Sequence, residues 1–243
     1  NAVTLTPDGQ HAVSTSKDHT LKVWEVADGR EVRTLKGHST GVRAVALTPD
    51  GRYVVSGASV GTLKVWELGS GLELRTLEGP PQQVMSLAVT PDGRYAVSGL
   101  HDGTLNVWEV VSWRMVRTLK VHSDRVYALT LAGDGSFAVS GSYDQTLKVW
   151  EVASGQELCA FNGHSDGVMS VALTPDGRYA ISGAYDCTLK VWDLRTGCLV
   201  ASHTADAPVR CCAVTRDGAT VVAGCGLGRL HFLRLENLPP PEQ

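Results

Sequence analysis

The chain has 243 residues, of which 43% are hydrophobic and 19% charged, with a formal net charge of −3. This length suits one large all-β domain or two small domains. No apolar stretch approaches the roughly 18 residues that a membrane helix needs, and the interspersed charges provide no basic field that would hold nucleic acid. The composition therefore predicts a protein that binds neither a membrane nor nucleic acid.

A short turn of the type Pro-Asp-Gly recurs along the whole chain. Its six aspartates, separated by 42 residues and once by 41, are Asp8, Asp50, Asp92, Asp134, Asp176 and Asp217. Five tryptophans, each followed by a carboxylate, recur at the same 42-residue spacing: Trp24, Trp66, Trp108, Trp150 and Trp192. A strict period of this size indicates one supersecondary unit repeated several times. We therefore predict a single domain over residues 1–238 and a proline-rich tail over residues 239–243.

Each repeat contains the signals of four short strands. In the fifth copy these are predicted at residues 168–173, 178–182, 188–192 and 198–201, with a type I turn signal at residues 174–177 between the first two. No helical period appears, and the turns are too short for a parallel crossover. Each unit is therefore predicted to be an antiparallel four-stranded meander, which buries both faces only when such sheets stack on one another.

The cysteines do not follow the repeat. All six lie in the last 85 residues, without a CxxC pair, at positions 159, 187, 198, 211, 212 and 225. This spacing favours neither a disulfide framework nor a zinc framework, and free thiols are typical of a reducing, cytoplasmic location. We predict no metal and no cofactor.

Gly-His, Pro-Asp-Gly, Ser-Gly-x-x-Asp and Trp-Asp/Glu recur together at fixed offsets, with 28 residues between His and Trp in three copies. The chain thereby resembles the WD-repeat (WD40) family, and its near-uniform copies are most similar to the WD-repeat arrays of bacterial multidomain signalling proteins. The resemblance implies an all-β β-propeller of six four-stranded antiparallel blades. It also implies a non-catalytic protein–protein interaction scaffold, as the sensor or regulatory propeller of a larger signalling protein.

The two ends of the chain depart from this pattern. Asn1 aligns with Arg43, inside the first strand of a blade, and residues 231–235 align with a third strand that no recognisable fourth strand follows. We therefore expect an atypical sixth blade that lacks its outer strand here. We also expect the chain to be cut from a longer protein, whose upstream part would hold that strand or a further blade.

The complete copies carry a histidine, a serine, an aspartate and a tryptophan, a combination that suggests a hydrolase. A catalytic set occurs once in one cleft, whereas this set recurs with the structural period, so we predict no catalytic residue and no enzyme. The resemblance implies a structural hydrogen-bonded tetrad instead. The two complete tetrads are His122, Ser140, Asp144 and Trp150 in blade 4, and His164, Ser182, Asp186 and Trp192 in blade 5.

The tetrad is lost from several other copies. Blade 2 has Val60 at the aspartate position, blade 3 has Pro80 at the histidine position, and blade 6 has Ala223, Leu227 and Leu233. Blades 4 and 5 are therefore predicted to be the stiffest and blade 6 the weakest.

Partner binding is predicted on the loops that, in this family, open on one rim called the top. The residues predicted to face it differ between copies and are enriched in types common at interface hot spots. They are Arg43, Met85, Tyr127, Met169, Arg210, Arg125, Lys17, His101, Tyr143 and Tyr185. The predicted partner is a protein or peptide with aromatic and acidic anchors, including other domains of a longer parent chain. The alternative interpretation is variable surface under no constraint.

Two further hypotheses stay open from the sequence. Trp113 stands where other copies have glycine. Its ring is interpreted either as a second partner contact or as a side chain that lies over a neighbouring loop. The alternative function is a propeller that binds a small molecule or glycan in its central channel, although the inner strands carry small apolar residues such as Ala44, Val45 and Ala46.

Overall fold

The computed structural model describes residues 1–236, which form 23 strands in six antiparallel sheets and, over that range, no helix. The first three sheets contain β1 (Val3–Leu5), β2 (His11–Thr15), β3 (Thr20–Glu25), β4 (Glu31–Lys36), β5 (Val42–Leu47), β6 (Tyr53–Ala58), β7 (Thr62–Glu67), β8 (Glu73–Glu78), β9 (Val84–Val89), β10 (Tyr95–Leu100), β11 (Thr104–Glu109) and β12 (Arg114–Lys120). The last three contain β13 (Val126–Leu131), β14 (Phe137–Ser142), β15 (Thr146–Glu151), β16 (Glu157–Asn162), β17 (Val168–Leu173), β18 (Tyr179–Ala184), β19 (Thr188–Asp193), β20 (Cys198–Thr204), β21 (Val209–Val214), β22 (Thr220–Cys225) and β23 (Leu230–Arg234).

The predicted fold class, six antiparallel propeller blades with an atypical sixth, is confirmed. Blades 1–5 are the consecutive four-stranded sheets β1–β4, β5–β8, β9–β12, β13–β16 and β17–β20, and blade 6 has the three strands β21–β22–β23. The predicted proline-rich tail lies outside the described residues. Among the residues described, none belongs to a helix long and apolar enough to cross a membrane.

The chain divides into two compact units, Asn1–Val126 and Tyr127–Gln243. In the first unit, one apolar cluster is built around Leu21 and Trp66 and another around Leu63 and Trp108. In the second unit, one cluster contains Trp192 with blade 4 residues and another joins residues of blades 5 and 6. In these clusters the inward residues of neighbouring blades cover each other, which is the stacking that a single meander requires.

The Pro-Asp-Gly turns are held by their own side chains. In blade 3 the Thr90 hydroxyl donates to Asp92 Oδ1 at 2.6 Å, and the Arg94 N–H donates to the same oxygen at 2.9 Å. Gly93 has a φ of 69°, in the left-handed region that glycine adopts at little cost. The hydrogen bond from Thr90 lowers the pKa of the Asp92 carboxyl, so this turn is built for an ionised aspartate.

A second left-handed position follows each Trp-carboxylate pair. Gly29, Gly71, Gly155 and Gly197 have φ between 71° and 76°, and Trp113 takes the same conformation at 54°. A side chain there costs about 1 kcal/mol because its Cβ crowds the backbone. The Trp113 ring is half-buried against the apolar cluster around Leu63 and Trp108. This contact offsets the backbone cost, so Trp113 has a packing role in blade 3.

Candidate functional site

The tetrad of blade 5 is a continuous buried hydrogen-bond chain. His164 Nδ1 lies 2.8 Å from Asp186 Oδ2, and His164 Nε2 lies 2.7 Å from Ser182 Oγ. The indole N–H of Trp192 donates to the same serine oxygen at 2.8 Å. The chain ties the loop before β17 to strands β18 and β19, the connection that the resemblance implied.

Burial and hydrogen bonding together set the protonation of this tetrad. It lowers the pKa of His164, against the opposing effect of Asp186, so the ring is neutral at pH 7. Burial also acts to raise the pKa of Asp186, but hydrogen bonds from Thr188 and His164 outweigh it and the pKa is lowered. Ser182 has 0% exposure. A nucleophile needs access to a substrate, and the buried Ser182 hydroxyl has none.

The other blades keep parts of the chain. The tryptophan N–H donates to the strand serine in each case, as Trp24 to Ser14 at 2.8 Å, Trp66 to Ser56 at 2.8 Å, Trp108 to Ser98 at 3.1 Å and Trp150 to Ser140 at 3.0 Å. In blade 4, His122 is buried and Asp144 accepts from both the N–H and the hydroxyl of Thr146. Blade 6 has apolar residues throughout these positions.

Blade 2 shows what loss of the aspartate does. His38 Nε2 lies 2.7 Å from Ser56 Oγ, as in blade 5, but His38 Nδ1 is buried without a hydrogen-bond partner. Val60 stands where blade 5 has the aspartate that pairs with this nitrogen. Burial lowers the pKa of His38 to about 4. The blade therefore retains a buried polar atom whose desolvation is not compensated.

We predict that hydrogen exchange follows the tetrad content of the blades. The protein is first treated with a chelator, so that no bound metal affects exchange. The amides of β22 and β23 should then exchange faster than those of β18 and β19, because blade 6 lacks the buried polar chain that ties its loops to its strands. Mass spectrometry of proteolytic fragments over a time course measures this. Equal protection of blades 5 and 6 would contradict the prediction.

The top loops are tied to one another by a repeated backbone bond. Tyr185 N–H donates to the Gly167 carbonyl at 2.9 Å, and His101 N–H to that of Gln83 at 2.9 Å. The same bond runs from Gly226 to Pro208 at 2.9 Å. The turn before the third strand and the loop before the first strand thus present their side chains from one fixed frame.

In the second unit this frame aligns three tyrosines and an arginine, which we call the tyrosine row: Tyr127, Tyr143, Tyr185 and Arg210. The ring centroids of Tyr127 and Tyr143 are 6.1 Å apart, and those of Tyr143 and Tyr185 are 6.0 Å apart and edge-on. The Arg210 guanidinium carbon lies 5.5 Å from the Tyr185 ring centre. Both separations suit favourable aromatic contacts, and the last suits a cation–π contact. Residues of three consecutive blades therefore form one connected surface.

The remaining predicted residues are dispersed or covered. Arg43 is half-buried and its Nε donates to Ser59 Oγ at 3.3 Å, whereas Met85 is 9% exposed. Lys17 is exposed, and those half-buried are His101, Met169 and Arg125. Of the ten predicted residues, the ring and cation contacts given above connect the four of the tyrosine row.

One residue that supports the row was missed by the sequence reasoning. A Cβ on Gly167 would lie 2.4 Å from Cδ2 of Tyr143, so the ring occupies the space that any other residue at 167 would need. Among the copies this position holds Gly, Gln, Arg and Pro, which reads as variable surface. The sequence feature that could have identified Gly167 is the combination of a glycine in blade 5 with the bulky Tyr143 in blade 4.

The WD40 family, described as WD domain, G-beta repeat, matches the chain over residues 1–25, 29–67, 71–109, 113–151 and 155–193. The chain belongs to this family. The five segments end at the Trp-carboxylate pairs. The first contains the first three strands of blade 1, and each of the other four begins with the outer strand of one blade and ends with the third strand of the next. A comparison with curated proteins gave no match. Members of the family are generally non-catalytic protein-interaction scaffolds.

Proposed function

We propose that this chain is a non-catalytic scaffold that captures a protein or peptide partner on the tyrosine row. The observation that carries the proposal is the connected run of three aromatic rings and one cation across three blades, with Tyr143 37% exposed. Tyrosine offers large contact area at low conformational cost, and tyrosine and arginine are enriched among interface hot spots.

The chemistry of the row defines the partner. Arg210 is exposed and can form a two-pronged hydrogen bond to a carboxylate, while the tyrosines offer ring faces and hydroxyl groups. A segment with an acidic residue close to an aromatic one would satisfy both. Met169 extends the predicted surface. Arg125 is a separate predicted contact, and the half-buried Trp113 is a second contact through the part of its ring that stays exposed.

The wider role that we propose is the sensor or regulatory propeller of a larger cytoplasmic signalling protein, with residues 1–238 as one domain. It is supported by the near-uniform copies, which resemble the arrays of bacterial multidomain signalling proteins. The alternative, a small molecule or glycan in the central channel, is less favoured by the inner strands. Ala44, Val45 and Ala46 are 3%, 8% and 8% exposed and offer a ligand no polar side-chain group.

The proposal is tested by selecting a displayed random-peptide library on the wild-type chain and measuring the affinity of the selected peptides. Tyr127→Ala with Tyr185→Ala should weaken binding at least about 30-fold, since truncating even one hot-spot residue costs about 2 kcal/mol or more. The selected peptides should contain acidic residues near aromatic ones, and Arg210→Gln should weaken them more at low salt than at high salt.

Tyr95→Ala is the matched control, because Tyr95 is also half-buried but begins a strand directly after a Pro-Asp-Gly turn, at the other end of its blade. It should leave the affinity unchanged. If the folded Tyr127→Ala, Tyr185→Ala double variant binds the peptides as tightly as the folded wild type, the tyrosine row is not the binding surface.

A further inference from the structure

Blade 6 lacks the tetrad but has a different polar cluster at positions that neighbour it. The loop before β21 carries Asp206, the end of β22 carries Cys225, and β23 carries His231. One ligand atom from each of these three residues lies within 4.8 Å of the other two. We propose that these side chains form a binding site for a divalent transition metal of the Zn²⁺ type, which clips the loop before β21 to the two strands behind it.

The distances suit tetrahedral coordination. Cys225 Sγ lies 3.5 Å from Asp206 Oδ1, and His231 Nε2 also lies 3.5 Å from that oxygen. Ligand atoms around one tetrahedral zinc ion are about 3.3–3.6 Å apart, given zinc bonds of about 2.0–2.3 Å to oxygen, nitrogen and sulfur. The third pair of ligand atoms, from Cys225 and His231, lies within 4.8 Å, so closing the site around one ion requires these two side chains to approach each other. The donor set of thiolate, imidazole and carboxylate is one that Zn²⁺ accepts and that Mg²⁺ and Ca²⁺ do not favour.

Two histidine nitrogens in this region also need a partner. His231 Nε2 and His203 Nε2 are both buried and neither makes a hydrogen bond. The two rings meet edge-on with centroids 5.6 Å apart. Buried polar atoms are normally satisfied, and such unpaired atoms call for an explanation. A metal supplies the partner for His231, and the fourth coordination position is left to water or to a reoriented His203.

The two oxygens of the Asp206 carboxylate face different partners. Arg229 pairs with Asp206 Oδ2, which leaves Oδ1 facing the thiol and the imidazole. The Cys225 thiol must lose its proton to become a ligand, so each ion bound at neutral pH releases one proton to the buffer. The Arg229 side chain, which is 68% exposed, anchors the carboxylate from the solvent side.

The equivalent positions in blade 5 hold other residues, so of blades 5 and 6 only blade 6 contains the cluster. Cys225 and Ala184 both pair with the leading valine of the first strand, and His231 and Lys190 hold the same register place on the third strand. Asp206 matches Ser165, next to the tetrad histidine. Blade 5 ties its loop with hydrogen bonds, and blade 6 would tie the same loop with a metal. Neither blade has both the hydrogen-bonded tetrad and the proposed metal cluster.

The test uses the full chain, stripped with a chelator and titrated with Zn²⁺ by calorimetry in buffers of different ionisation enthalpy. We expect one ion per chain with release of about one proton. Titration with Co²⁺ should give a near-ultraviolet thiolate-to-cobalt band. Zn²⁺ should slow hydrogen exchange in β22 and β23 and leave β6 and β7 unchanged.

Each variant replaces one proposed ligand by the residue at the equivalent position of blade 5: Cys225→Ala, His231→Lys and Asp206→Ser. Each should weaken Zn²⁺ binding at least tenfold, and Cys225→Ala should remove the cobalt band. Cys198→Ala, at an exposed cysteine outside the cluster, is the control and should change neither. Unchanged affinity in Cys225→Ala and His231→Lys would overturn the proposal. So would a wild-type chain that binds no ion or gives no thiolate band, a result that does not depend on the folding of any variant.

Discussion

Replacing Asp186 by valine should lower the free energy of unfolding by about 3 kcal/mol. The change removes the carboxylate partner of His164 Nδ1 and leaves that buried nitrogen only the Thr188 hydroxyl, 3.2 Å away; losing a buried partner costs about 1–3 kcal/mol. It also removes the acceptor of the Ser165 N–H and of the Thr188 N–H and hydroxyl. Chemical denaturation followed by circular dichroism measures the loss.

Asp18→Val is the matched control for this loss. Asp18 accepts from the Thr20 N–H at 3.0 Å and the Thr20 hydroxyl at 2.7 Å, the same turn bonds that Asp186 makes to Thr188. It is exposed, and its blade begins without a tetrad histidine. The control should therefore cost clearly less, and the difference reports the histidine contact. Equal losses in the two variants would show that the turn, and not the tetrad, carries the stabilisation.

The reverse change in blade 2 should stabilise the protein. Val60→Asp places an acceptor beside the unpaired His38 Nδ1, and Thr62 is already present to donate to the same carboxylate, as Thr188 does in blade 5. We expect a gain of about 1–2 kcal/mol. Val60→Asn, which offers a neutral and weaker acceptor, should gain less. A destabilised Val60→Asp variant would mean that His38 tolerates its unpaired nitrogen at no cost.

Mild acid should destabilise the protein before its carboxylates titrate. His38 has a folded-state pKa of about 4, against about 6.5 for an unperturbed histidine. Its folded pKa is depressed, so below pH 6.5 the unfolded chain binds a proton that the folded chain refuses. Stability contributed by the neutral ring is fully present above about pH 6.5 and is lost as the pH falls towards 4. The loss attributable to His38 should be roughly 2–3 kcal/mol.

Denaturation at a series of pH values, with the His38 ring signals followed by NMR, measures this effect. The buried ring of His164, whose pKa is also lowered, adds a change of the same sign. In Val60→Asp the new carboxylate favours the protonated ring, so the pKa of His38 should rise and the acid loss should shrink. A free energy of unfolding that stays flat between pH 6.5 and 4 would refute the assignment of a buried, neutral His38.

The repeat predicted the blades because its signals are local. Alternating apolar residues predicted strands, and Thr-Pro-Asp-Gly predicted the turns that separate them, so the first strand of blade 5 was placed at its observed limits. The fourth strand was predicted to end at residue 201 and continues to Thr204, which pairs with Thr188. That extension depends on a pairing partner, which local sequence does not specify.

The candidate site could be predicted only in part. The exchange of aspartate for Val60 is visible in the sequence, but the buried state of His38 Nδ1 depends on packing. The tyrosine row depends on side-chain rotamers and on the spacing between blades, so ten candidate positions contained four that the described ring and cation contacts connect. The blade 6 cluster escaped for another reason. Its ligands come from one loop and two strands, at offsets that no motif records.

The asymmetry between blade 6 and the others gives the chain two built-in reporters of unfolding. Each of blades 1–5 contains a tryptophan whose indole donates to a strand serine, while blade 6 has Leu233 in that place. Intrinsic fluorescence therefore follows blades 1–5. Blade 6 instead contains Cys225, buried in the β21–β22 strand pair, whose reaction with a thiol reagent requires that pair to open. Cys198 and Cys211 are exposed and react in the folded chain. A chain whose sixth blade opens first would therefore gain the reactivity of Cys225 beyond theirs while its fluorescence is still that of the folded protein.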